Sequence, residues 1–329
     1  MSEKTAMSGT KATRLKDPEA IPFYRELIRG IGEDIKPLRT AVIHPVDKNS
    51  LAGAIEAARM GLMEPVLVGP EARIRKVADE LEADLSAFEL VNAEHSHESA
   101  KTGVALATDG KVGALMKGHI HTHELLAAVM AKSARLRTGR RISHVFLIDI
   151  PHENYSKPLF LSDAAVNIQP TLAHKRDITQ NAIDLFRACR EGTPKVAILS
   201  ATEQVTEDIL STIHAAAISK MAERGVITGG IVDGPLAFDN AISRDAAKAK
   251  NIRSEVAGDA DILIVPDIDS GNMLYKQMKY LSGYNAAGLV VGARVPIMLT
   301  SRAGDVAARV ASAAIALLYA RSREEETSW

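Results

Sequence analysis

The chain reads as an α/β protein of two domains, and three observations predict it. Short apolar runs alternate with longer amphipathic stretches through the first 140 residues. At 329 residues the chain is long for one hydrophobic core and suits two. The later apolar runs end in loops rich in Gly, Asp, Asn and Ser, where an open α/β sheet places polar chemistry, at the carboxyl ends of its strands.

Pro18 to about Ile35 carries Ile21, Tyr24, Leu27, Ile28 and Ile31 at helical spacing, so a first helix is expected there. TAVIHP (40–45) predicts a strand, SLAGAIEAARMG a helix, and PVLVG (65–69) a strand stopped by Gly69-Pro70. ARIRKVADEL reads as a helix, AFELVN as a weaker strand and SAKTGVALATDG as a helix. GALMKG (113–118) is the next strand, and HELLAAVMAKSARL the next helix. Regular βα alternation calls for parallel strands with helices on both faces, because a parallel crossover needs a helix-length connection.

The pattern breaks at Arg137 to Arg141, where Thr138-Gly139 punctuates a basic cluster, and a domain boundary is placed near 140. HVFLIDIP and KPLFLSD follow too closely for a crossover helix, so they predict an antiparallel pair added to a second sheet. Helix 172–190, strand KVAILS and helix VTEDILSTIHAAAISKMAERG restart the alternation. Helix 304–322, with VAARVASAAIALLYA, is apolar over a broad face and must be docked. The expected division is a flexible tail (1–17), a first α/β domain (18–140 plus 300–329) and a second (141–299).

Aromatic residues are only 4% of the chain, so Ala, Val, Leu and Ile must build the cores. Forty basic against 41 acidic residues leave a net charge of -1, which gives no field to draw nucleic acid or an anionic membrane. No apolar run reaches the roughly 18 residues that span a bilayer. MSEKTAMSGTKATRLKD has no apolar secretory core, so a cytoplasmic protein is expected. The single cysteine, Cys189, excludes an internal disulfide and a multi-cysteine metal site, and its helical context reads as a small buried hydrophobe.

Thr300-Ser301-Arg302 stands between a strand pattern and an Ala/Val-rich helix. A hydroxyl beside a guanidinium at a helix N-terminus suits phosphate or carboxylate, although a serine cap beside a solvated arginine has the same spelling. Asp305 is the only carboxylate between Arg302 and Glu324, a candidate base or a first-turn partner of the helix dipole. His121-Thr122 opens another helix, where Thr122 offers either a ligand contact or a cap. His119, His121 and His123 alternate, but no carboxylate or thiol completes a characteristic metal set, and no metal is expected. Arg141 belongs to the basic turn between the domains. In PDIDSGNMLYK, Gly271 permits close backbone approach, Asn272 and Lys276 offer donors, and Asp267 joins them; the alternative is a strand-to-helix turn capped by Asp269 or Ser270.

The wording of these stretches adds more. TGGIVDGPLAFDNAIS, ADILIVPDIDSGNMLYKQMKYLSG, AAGLVVGARVPIMLTSR, LMKGHIHTHELL and LRTGRRISHVFLIDIP resemble the phosphate acetyltransferase and phosphate butyryltransferase family, from about Ala41 to the C-terminus. The likeness is to the short, acetyl-type subgroup related to hydratase-fused members. It implies the two-domain fold of isocitrate and isopropylmalate dehydrogenases, with parallel-rich sheets and an interdomain cleft. It also implies acetyl exchange between coenzyme A and inorganic phosphate in a ternary complex, without cofactor. The last helix and the helix after KVAILS are apolar beyond what one domain face needs, so a homodimer is expected. Ser301, Arg302 and Asp305 become the expected catalytic residues. His121, Thr122, Arg141, Asp267, Gly271, Asn272 and Lys276 become the expected substrate contacts. Butyryl transfer is the near alternative. A metal-dependent dehydrogenase of the same fold, with Asp267 and Asp269 as magnesium ligands, and a non-catalytic coenzyme A-binding module are the distant ones.

Overall fold

The computed structural model describes residues 21–32, 35–152, 155, 157–300 and 304–327. The expected tail at 1–17 lies outside them, as do Ser301 and Arg302. The strands are β1 (Leu38–Ile43), β2 (Met63–Gly69), β3 (Glu89–Asn92), β4 (Ala114–Lys117), β5 (Ser143–Asp149), β6 (Leu159–Ser162), β7 (Lys195–Leu199), β8 (Ile231–Leu236), β9 (Ile262–Ile264), β10 (Asn285–Val291) and β11 (Ile297–Met298). The helices are α1 (Pro22–Arg29), α2 (Lys48–Arg59), α3 (Glu71–Glu80), α4 (Ser96–Thr108), α5 (Thr122–Met130), α6 (Leu172–Cys189), α7 (Leu210–Glu223), α8 (Phe238–Ile242), α9 (Arg244–Ala249), α10 (Ile268–Lys276) and α11 (Val306–Thr327).

All these strands form one sheet in the order β3-β2-β1-β4-β11-β10-β5-β6-β9-β7-β8. The expected β5–β6 antiparallel pair is present, with Phe146 opposite Leu161. It does not belong to a second sheet. β10 pairs antiparallel with both β5 and β11, and so splices the two runs of parallel strands into one mixed, mostly parallel sheet.

The pleat sends alternate side chains to opposite faces. On one face Val42, Met116, Leu289, Val145, Phe160 and Ile198 belong to a single apolar cluster that spans both ends of the sheet. The other face carries two separate clusters, one around Ile43, Leu115 and Val290, the other around Ile148, Leu161 and Leu263. α11 closes the continuous face, packing on α2, β10 and α6. Its Ala307, Val310, Ala311, Ala314 and Leu317 are fully buried, so the apolar breadth read from the sequence is used inside the chain.

Candidate active site

β1, β4 and β11 are parallel neighbours, so their carboxyl ends share one edge of the sheet. Beyond the strands the backbone stays paired: Gly118 N donates to Ile43 O and His119 N to His44 O, both at 2.8 Å. His44 is buried, with Nδ1 3.0 Å from Ser99 Oγ. Burial, then the charges of Arg73 and His119, pull its pKa down to about 4, so it shapes this turn as a neutral ring.

Two helices start at the same edge. His121 occupies the cap position of α5 without a side-chain cap bond, and Thr122 is the first helical residue. The Thr122 hydroxyl therefore does not cap, contrary to its structural alternative. His121 and His123 stand with ring centroids 5.3 Å apart, and His119 Nδ1 lies 3.6 Å from Asp47. Among the described residues no group of three His, Cys, Asp or Glu side chains could hold a metal ion. At α11, Asp305 Oδ1 accepts from Ala308 N at 2.9 Å, which makes Asp305 the cap of that helix. Thr300, two residues beyond β11, is buried with its Oγ1 unpartnered.

α10 carries the second group. Asp267, not Asp269 or Ser270, caps it: Ser270 N donates to Asp267 Oδ1 at 2.9 Å. Gly271 makes a close approach, but to protein. A Cβ there would stand 2.7 Å from Val265 Cγ2 and 3.0 Å from Ala164 Cβ, so the missing side chain seats α10 on the β6 and β9 ends. Asn272 Nδ2 donates to Ala164 O at 3.1 Å, while Lys276 is exposed. Arg141 Nε donates to Asn167 Oδ1 at 2.7 Å. That asparagine sits in a turn whose 165, 166 and 167 amides all donate to the buried Asp163 carboxylate. Arg141 is thus tied to the loop that also receives Asn272.

Charge connects the two groups. Tyr275, on the last turn of α10, has its phenol pushed up to about 12 by burial, then by Tyr280 and Asp305. Tyr24 of α1 is raised by burial, then by Asp305 and Asp149. The Asp305 charge at the start of α11 is thus felt both on α1 and at the end of α10. Tyr275 also stacks on Phe146 of β5 at 3.7 Å and 12°.

Sequence reasoning passed over three residues at this edge: Phe146, His144 and Arg309. His144 is buried beside Phe146, and burial lowers its pKa to about 4 against a hydrogen bond that the ring donates to the Leu299 backbone carbonyl. Arg309 is 1% exposed and donates to Lys117 O at 2.9 Å. Cys189 plays no part here; it packs against the continuous core, and burial pushes its thiol up to about 12.

In chemical terms, the N-termini of α5 and α11 bring two positive dipole ends to the edge that also carries Thr122 and the buried, unpartnered hydroxyl of Thr300. That is an environment for an oxyanion.

Residues 97–317 match the family described as "Phosphate acetyl/butaryl transferase". A phosphate acetyltransferase of Rhizobium meliloti is 58% identical over 287 residues, covering 87% of this chain and 90% of the relative. A phosphate butyryltransferase of Clostridium acetobutylicum is 36% identical over 304 residues, covering 92% of this chain and all of the relative. Among solved structures, a branched-chain phosphotransacylase from Enterococcus faecalis superposes with a TM-score of 0.74 at 27% identity, over 86% of this chain and 99% of that one. With the fold, the oxyanion edge and these matches in agreement, the chain belongs to the phosphate acetyl/butyryl transferase family.

Proposed function

We infer that the chain is a phosphate acetyltransferase, an acyltransferase that exchanges an acetyl group between coenzyme A and inorganic phosphate. The observation that carries this reading over butyryl transfer is the identity of 58% to an acetyltransferase, against 36% to a butyryltransferase, each over most of the chain.

The chemistry follows from the residues. In the direction of thioester synthesis, the coenzyme A thiol gives its proton to a base, for which Asp305 is the candidate, and the thiolate attacks the acetyl phosphate carbonyl. The C–S bond forms, the C–O bond to phosphate breaks, and phosphate leaves with the bonding pair. Arg302 balances the charge on the leaving phosphate, and Ser301 hydrogen-bonds the reacting acyl phosphate. His121 and Thr122 bind at the α5 N-terminus. Asp267, Gly271, Asn272, Lys276 and Arg141 form the opposite wall, with Asp267 and Gly271 shaping it through the cap and the packing of α10. The enzyme needs no covalent nucleophile, metal or cofactor, and works in the cytoplasm as a homodimer.

The finer fold reading is the two-domain arrangement of the isocitrate and isopropylmalate dehydrogenases. Residues 18–140 plus 300–329 make one domain and 141–299 the other, with the site in the cleft between them. The two separate clusters on one sheet face support it, since a gap between them leaves room for a cleft. The shared cluster behind them supports a common back wall.

The test is direct. The protein is mixed with coenzyme A and acetyl phosphate, then butyryl phosphate, in chelator-treated buffer without added cofactor, and the thioester band is followed. Faster turnover with acetyl phosphate is expected. Preference for butyryl phosphate would transfer the assignment to the other branch, and turnover with neither would defeat it.

A further inference from the structure

We propose that Arg309 is a positioning residue of the active site, whose buried guanidinium holds the start of α11 against the end of β4. The proposal rests on the acetyltransferase reading, since it assigns Arg309 to the geometry of that site.

Arginine in an Ala-rich helix ordinarily turns to solvent. Here it is 1% exposed and is the largest of the fully buried side chains. The neighbouring helix leaves room for it: a Cβ on Gly53 of α2 would stand 2.5 Å from Arg309 Cδ and 2.8 Å from its Cβ. An Ala-rich, Gly-lined helix contact would pack as well around an apolar side chain. A permanent cation at this position is therefore not explained by packing.

Its polar contacts are incomplete. Nη1 donates to Lys117 O at 2.9 Å, while Nε is buried without a partner. Among the described residues no carboxylate lies within ion-pair distance of the guanidinium; Asp47 and Asp305 act on it only through longer-range attraction, against a larger penalty from burial. A buried cation with an unmet donor and no close carboxylate is a poor stabiliser, and replacement of such groups by apolar ones of similar volume is often neutral or stabilising.

What the side chain does accomplish is to join three turns. It belongs to the first helical turns of α11, where Asp305 is the cap. It holds the Lys117 carbonyl, at the last residue of the strand that leads to His121 and Thr122. The Asp47 carboxylate, capping α2 through Ser50 N, attracts it from the third side. Asp305 and Thr122 stand at the starts of two different helices. Arg309 links the elements that carry them. A displacement of about 1 Å between such groups is enough to cost on the order of 10² in rate.

The experiment compares Arg309→Met and Arg309→Lys in the full chain by steady-state kinetics, thermal unfolding and amide hydrogen exchange. For Arg309→Met the melting temperature should stay near wild type, while kcat falls about 10²-fold and KM for coenzyme A changes far less. Amides at 118–122 and 304–308 should exchange faster. Arg309→Lys keeps a cation and a donor for Lys117 O, and should recover part of the lost kcat. Wild-type kcat in Arg309→Met, or an equal loss in both variants, would overturn the proposal. So would a rate loss matched by loss of folded protein. Exchange at the two segments is read without substrate, so it tests the clamp even if the wild-type protein fails to turn over acetyl phosphate, a failure that would sink the acetyltransferase reading instead.

Discussion

His144 lies against the bare backbone of Gly288, so close that a Cβ at 288 would stand 2.4 Å from its Cε1 and 2.8 Å from its Nε2. The pair sits where β5 and β10 meet, between the two clusters of the divided sheet face. Phe146 Cδ1 closes the same space at 3.2 Å, and Gly288 N donates to Ser312 Oγ behind it. Gly288→Ala cannot be absorbed by one flexible side chain. It should cost about 2–3 kcal/mol through overpacking, read as a lower denaturant midpoint with an unchanged slope. A midpoint equal to wild type would show that the His144 ring moves freely.

Why this pair was invisible in the sequence is instructive. ISHV reads as part of a strand, and GLVVGARVPIMLT as a long apolar stretch, but nothing local says that β10 joins β5 or that it bridges to β11. The parallel strands β1, β2 and β4, the β5–β6 pair and the docked α11 were legible, because each declares itself within its own few residues. The single sheet was not, because its continuity rests on strand pairing between distant segments. The same limit applies to the site. The helix-start threonine Thr122 and the Asp267 loop were legible from residue type and punctuation. Arg309 was not, since its burial depends on Gly53 of another helix.

The far part of the sheet holds an ion cluster that gives a pH-dependent stability. Asp259 receives Lys157 Nζ at 2.9 Å and Lys195 Nζ at 2.6 Å. Burial alone would raise its pKa, but hydrogen bonds from Lys195 and Lys157 and their charges take it from 3.8 down to about 2. A depressed carboxylate stabilises the fold above its unfolded pKa and loses that contribution as pH falls toward the folded value. The group is partly exposed, so solvent screening reduces the effect to about 1 kcal/mol. Asp259→Asn should therefore be less stable than wild type at pH 7, with the difference shrinking between pH 4 and pH 2. A difference that stays constant over that range would assign it to packing.

The homodimer is expected to form through α7. Val205 (57% exposed), Leu210 (64%), Ile213 (40%) and Val226 (56%) leave apolar surface on and around this helix, beside β8, the terminal strand of the sheet. An isologous contact is the commonest way to cover such a patch. Light scattering at micromolar concentration should give twice the chain mass, and Leu210→Asp should lower it. A wild-type monomer would defeat this expectation. A Leu210→Asp dimer would move the interface elsewhere.

Arg302 should matter to chemistry more than to stability. Loss of one preorganised charge partner for a departing oxyanion costs on the order of 10²–10³ in turnover, and Arg302→Ala is expected to fall in that range. Ser301→Ala should lose less. Circular dichroism and melting temperature should stay near wild type in both. Unchanged turnover in folded Arg302→Ala would remove this arginine from the mechanism.

Asp305 carries two roles that one substitution separates. As the cap of α11 it accepts from Ala308 N, and asparagine caps about as well as aspartate, so Asp305→Asn should keep the helix start. As the thiol base it must be a carboxylate. Loss of a general base costs about 10²–10⁴ in rate. A free thiol near pKa ~8.5 is mostly protonated at pH 7 and mostly thiolate at pH 9. If Asp305 takes the proton, Asp305→Asn should be slow at pH 7 and recover partly at pH 9, where coenzyme A arrives deprotonated. An equal loss at both pH values would make Asp305 positional and put the base elsewhere, and full activity at pH 7 would leave it only the cap of α11.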